Sequence, residues 1–212
     1  MRHLSRSLMQ LNLATHASHA GVDEAWLELT SERVTRGQYV DRLSRVFGFE
    51  GPVEGVLAYT PQLNDGLDLD IRRRARAGFI ALDLIELEVT PAQLSMIPQC
   101  PDVAPFTTAA EALGWLYALE RSALLHDLVR HHLLARMPEL ESAVSYLSAF
   151  RGAAAERWAE LGEAIDAVAI SPAIFDTIAT AATMAFDLAE RWYRPAHGGF
   201  IATRFGANAR LG

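Results

Sequence analysis

Apolar residues along this chain recur at three- and four-residue spacing, and strict alternation is scarce, so the pattern predicts helices and almost no strand. Leu4, Leu8, Leu11 and Thr15 share one face of a first helix over about 4–19, which Gly21 is expected to close. A second helix spans Val34–Phe47, opened by Thr30 and Ser31 with Glu32 nearby and closed by Gly48, and a short helix follows at about 52–59. Asn64-Asp-Gly-Leu reads as a turn, Leu69–Leu87 as a helix with a basic start, and Thr90-Pro91 as the capped start of a short helix. A long helix over about 107–136 is apolar nearly all round between Leu113 and Leu125, which marks the central buried helix. Helices at about 138–168 and 172–193 complete the set.

At 212 residues, half of them apolar, the chain predicts one all-α domain over 1–194 and a loose Gly/Arg-containing tail over 195–212. The three prolines of Ile97–Pro105 demand an irregular connection, too short to separate domains. A net charge of −7 without a basic stripe argues against nucleic acid as a partner. The 19 basic residues are all Arg, and Arg72-Arg73-Arg74 reads as a solvated face. One cysteine, Cys100, allows no internal disulfide and fits a reducing compartment. With no run of about 18 apolar residues and no signal-peptide core, a soluble cytoplasmic protein outside the membrane is expected.

Candidate chemistry centres on His19. His16 and His19 lie three apart on the first helix, and a helix ending at Gly21 would place His19 in its last turn, where the dipole favours positive charge. An imidazole that binds a metal needs its other nitrogen held by an acceptor, and Asp23, four residues on, is one. His16 competes, and most helical histidines are ordinary surface or core residues. No Glu has a His three residues later, so the di-iron carboxylate pattern is absent. Cys100-Pro101 and the adjacent His131-His132 favour structural over ligating roles.

Leu11-Asn-Leu-Ala-Thr15-His-Ala-Ser-His19-Ala-Gly-Val-Asp23 resembles the first helix of heme oxygenases. The resemblance continues through Val34–Leu43, Phe47–Glu54, Arg76–Leu87 and Ala109–Glu120 to Arg157-Trp158 and Phe186…Trp192, over about residues 8–193, and is nearest the bacterial branch associated with bacteriophytochromes. It implies a heme oxygenase-like helical bundle with heme between the first and central helices. His19 would then be the iron ligand, with Thr15, Asp23, Tyr117 and Leu125 around the cofactor. The implied activity is opening of heme to biliverdin with release of iron and CO. Such a reaction takes an external electron donor, a ferredoxin or reductase, and a bacteriophytochrome is a plausible client. The alternative is a non-catalytic module that senses a ligand or a protein.

One stretch departs from the family. The glycine-rich kink of the distal helix is replaced here by Arg121-Ser122-Ala123-Leu124-Leu125-His126. Glycines there let the backbone approach a porphyrin and flex, and their loss predicts a stiffer helix. Arg121 and Leu125, one turn apart, are expected to project toward the heme side, with Arg121 and Ser122 as the candidate catalytic positions. Arg121 then has to find a propionate or a core carboxylate, because a buried Arg must be paired. A bis-histidine arrangement of His19 with His126 is the less favoured option, since His126 lies about 100° around the helix from Leu125.

Overall fold

The computed structural model describes residues 5–60, 63, 67 and 69–194, and among them it contains helices and no strand. The described residues form ten α-helices, in order α1 (Arg6–Ala14), α2 (His16–Leu27), α3 (Arg36–Ala58), α4 (Ala77–Glu86), α5 (Pro91–Ser95), α6 (Ala109–Ser122), α7 (His126–Arg136), α8 (Ser145–Ser148), α9 (Ala154–Val168) and α10 (Pro172–Tyr193). The expected tail at 195–212 and most of the turn at 64–67 lie outside the described residues.

Helix α6 is the axis of the bundle. Thr108 caps it through a reciprocal pair with Glu111, and every residue from Ala112 to Glu120 is buried. Its long partner α10 starts at Pro172 behind the Ser171 cap and lays Ile178, Ala181, Ala182, Ala185 and Phe186 into the core. The small side chains let the two helices approach closely. Helix α2 packs on α10, α1 on α9, and α3 on α4.

Several boundaries differ from the sequence expectation, each for a tertiary reason. The first helix does not run 4–19. It bends at Thr15, whose hydroxyl donates to the Leu11 carbonyl at 2.9 Å, and α2 then runs on through Gly21 to Leu27. Gly21 is a contact position and not a stop, since a β-carbon there would collide with the Glu190 carboxyl of α10. His19 therefore lies in the first turn of α2, and the helix-end argument reverses sign.

The segments at 34–47 and 52–59 are one helix, α3, capped by Thr35 with Gln38. Gly48 does not end it. The Pro-rich connection crosses at that point, with the Cys100 amide donating to the Gly48 carbonyl at 2.7 Å and the Pro98 carbonyl where a β-carbon would stand.

The region 69–87 begins as a 3-10 turn at Arg72–Arg74 before α4, and its arginines are not all solvated: Arg74 and Arg76 are buried. The region 138–168 divides into a 3-10 turn over Pro138–Ala143, α8 and α9.

The central helix also breaks. Residues Ala123–Leu125 form a 3-10 turn between α6 and α7, although no glycine is present. The Ser122 hydroxyl donates to the Leu119 carbonyl at 2.7 Å, a back-bond that bends helices. The stiffer, continuous helix expected from the lost glycines is not what forms.

Candidate functional site

The break at 123–125 and helix α1 border one cavity. It has a volume of about 700 Å³ and is bordered by Leu8, Met9 and Asn12 of α1, by Arg121, Leu124 and Leu125 at the break, and by Trp158 of α9. Its size is that of a cofactor pocket, and its walls are mainly apolar. Arg121 and Leu125 both reach it, and Ser122 does not. The Ser122 hydroxyl proton is committed to the Leu119 carbonyl.

His19 is 5% exposed and is linked to this space through Arg121. Its Nδ1 lies 3.2 Å from Asp23 Oδ2, while Nε2 is buried with no hydrogen-bond partner among the described residues. Phe186 packs edge-on against the imidazole at 5.7 Å between centroids, and His16 lies 5.2 Å away. Burial first, and then the Arg121 guanidinium, hold the imidazole below its ordinary pKa; Asp23 opposes them. The neutral form with its proton on Nδ1 suits this setting, since Nδ1 faces a carboxylate and Nε2 keeps a lone pair.

Arg121 joins the cavity to this histidine. Its Nη2 donates to Asp23 Oδ2 at 3.0 Å, Nη1 to Asp23 Oδ1 at 3.3 Å, and Nη2 is 3.4 Å from His19 Nδ1. Of the two partners open to it from the sequence, Arg121 takes a carboxylate of the protein. His19 itself is not among the residues that border the cavity.

Thr15 and Tyr117 come together behind the cavity wall. Their hydroxyls are 3.2 Å apart, and the Tyr117 hydroxyl donates to Asn12 Oδ1 at 3.2 Å. They pin the α1–α2 bend to the central helix and do not border the cavity. Leu8, Met9, Asn12, Leu124, Trp158 and Phe186 were missed as a group, and only helical phase relative to His19 and Arg121 could have suggested those on α1.

His126 lies on the other side of the break. Its ring is held between Trp26 at 5.1 Å and Tyr146 at 4.7 Å, beside a separate cavity of about 130 Å³. The Tyr146 hydroxyl donates to Glu50 at 2.7 Å, and Arg76 pairs with Glu50 at 2.8 Å while packing on the Tyr146 ring. Burial, with Arg76 adding to it, pushes the His126 pKa well down. His126 does not border the larger cavity, so the bis-histidine arrangement is not formed. The described residues contain no cluster of three or more His, Cys, Asp or Glu able to hold a metal ion.

No protein-family model matches the sequence, and no curated protein matches it either. Among solved structures, the chain is similar to the NO- and CO-bound heme oxygenase from Neisseria meningitidis, with a TM-score of 0.65 and 18% identity over 89% of this chain and 90% of that one. The similarity establishes the fold: this protein is an all-α, heme oxygenase-like helical bundle.

Proposed function

We propose that the protein binds heme, or a closely related iron tetrapyrrole, with His19 as the residue that would hold the iron. The observation that carries this reading is one imidazole with two different nitrogens, Nδ1 held by Asp23 and Nε2 buried with no partner among the described residues, while Arg121, 3.4 Å from the ring, borders a cavity of about 700 Å³. A buried nitrogen without a partner is costly unless something else satisfies it, and a ferric or ferrous iron does so. The residues present fit the group. Leu8, Met9, Leu124, Leu125 and Trp158 would cover its faces, and Asp23 would keep the proton on Nδ1.

A bound heme supplies the oxygen-activating chemistry, and the reaction the fold suggests is oxidative opening to biliverdin with loss of iron and CO, driven by an external electron donor. The protein's own part is narrower. The apolar walls exclude bulk water, Asp23 orients the imidazole, and the 123–125 break sets the backbone over the cavity. A bacteriophytochrome that accepts the product is a fitting client.

A second reading, ligand binding without turnover, is favoured by one observation. Both candidate catalytic positions are already occupied within the protein, Arg121 by Asp23 and Ser122 by the Leu119 carbonyl. Two steps test the pair of readings. Titration of the full chain with hemin is expected to give a Soret band that His19→Ala abolishes. Ascorbate or a ferredoxin system in air then separates them: decay to a biliverdin absorbance supports the oxygenase, and a persistent Soret band supports the binding module. A Soret band indifferent to His19→Ala removes the assignment altogether.

A further inference from the structure

We propose that the Arg121–Asp23 ion pair is a gate on this site, a bridge from Arg121 on the cavity wall to α2, the helix that carries His19, that has to open before a flat ligand passes from the cavity to the imidazole. The inference rests on the tetrapyrrole reading above and adds how the site is regulated. Arg121 lies in the last turn of α6 and borders the cavity, while Asp23 and His19 belong to α2 behind it. The guanidinium makes two contacts to the Asp23 carboxylate, at 3.0 and 3.3 Å, and lies 3.4 Å from the imidazole itself. A macrocycle bound to His19 would need the space that Arg121 fills against α2, so ligand and bridge compete for the same gap. Both partners are mostly buried, with 15% and 20% of their side chains exposed, so solvent screens the pair less than it would at the surface.

The guanidinium has somewhere to go. Arg121 already borders the cavity, and its neighbour Leu124 is half exposed at that wall. Opening therefore needs a side-chain rotation and no refolding of the break. The charged or titratable groups at this point are Arg121, Asp23 and His19, with the Tyr117 hydroxyl near the pair and His16 tilted against the imidazole. Loss of either charge from the ion pair should open the gate. A role for Arg121 in merely orienting His19 predicts the reverse, weaker and slower binding.

The test mixes the full chain with hemin in a stopped-flow instrument and follows the Soret band for wild type, Arg121→Ala, Asp23→Asn and the double variant, each checked against His19→Ala. Asn at position 23 keeps an oxygen for Nδ1–H while losing the charge. Each single variant is expected to bind at least about tenfold faster, and the double variant no faster than the quicker single. Arg121→Lys, which keeps the charge but loses the two-point contact, should fall between. Rates equal to or below wild type in both singles, with a Soret band still dependent on His19, overturn the gate and leave heme binding standing. If no protein shows such a band, the functional reading fails, and the bridge is judged without ligand by amide exchange in segments 16–23 and 121–125. Exchange there should rise several-fold in Arg121→Ala, and unchanged exchange overturns the bridge as well.

Discussion

Two buried histidines flank the break in the central helix, and their neighbourhoods are built differently. Each is 5% exposed and each leaves Nε2 without a partner among the described residues. His126 is packed between Trp26 and Tyr146, with the fully enclosed Glu50–Arg76 pair behind them and a cavity of only about 130 Å³ beside it. His19 is held from one side by Asp23 and Arg121, and Arg121 in turn borders about 700 Å³ of apolar-walled space. Burial and an unpartnered nitrogen are thus common to both. What separates a candidate ligand from a core residue is the acceptor on the opposite nitrogen together with room for something to bind.

The contrast breaks most severely at the core of the His126 side. Glu50→Ala leaves Arg76, 2% exposed, without its carboxylate, and chemical denaturation should show a loss of about 3–5 kcal/mol. Next in size, His126→Ala empties the space between two aromatic rings and should cost about 2–4 kcal/mol, while the variant that remains folded keeps its His19-dependent Soret band. His19→Ala should do the opposite, removing that band for a stability loss of only about 1 kcal/mol, because Asp23 keeps its pairing with Arg121 when the ring is gone.

The finest discrimination is in pH dependence. Both imidazoles have folded pKa values below 6.5, so as pH falls through that value the unfolded chain takes up protons the folded one refuses, and stability drops. Asp23 offsets part of this at His19, and nothing comparable acts at His126. Melting temperatures at pH 7.5 and 5.5 should therefore show that His126→Gln relieves more of the acid loss than His19→Gln. Glu50 runs the other way. Burial raises its carboxyl to about 7, so its contribution is full below about 4.5 and fades as pH rises through 7, and Glu50→Gln should remove that component. An acid sensitivity equal in both histidine variants would erase the distinction between the two neighbourhoods.

Helical periodicity identified the elements themselves because each helix buries a stripe at 3.6-residue spacing; the all-apolar middle of α6 and the Ser171-Pro172 start of α10 were legible for that reason. Boundaries failed where a glycine served a neighbour and not its own helix. Gly21 accommodates the Glu190 carboxyl and Gly48 the Pro98 carbonyl, contacts that no local pattern encodes. The arginines misled for a similar reason. Arg74 looked like part of a solvated run, yet it pairs with Glu120 and Glu160, 46 and 86 residues away.

The His19–Asp23 spacing is local, one turn of a helix, so the chain alone placed an acceptor beside an imidazole. Which partner Arg121 takes, whether His126 shares a pocket with His19, and where the central helix bends were decided by packing. Each depends on what a side chain meets across the bundle, and residues 98 apart in the chain have no common periodicity to announce it.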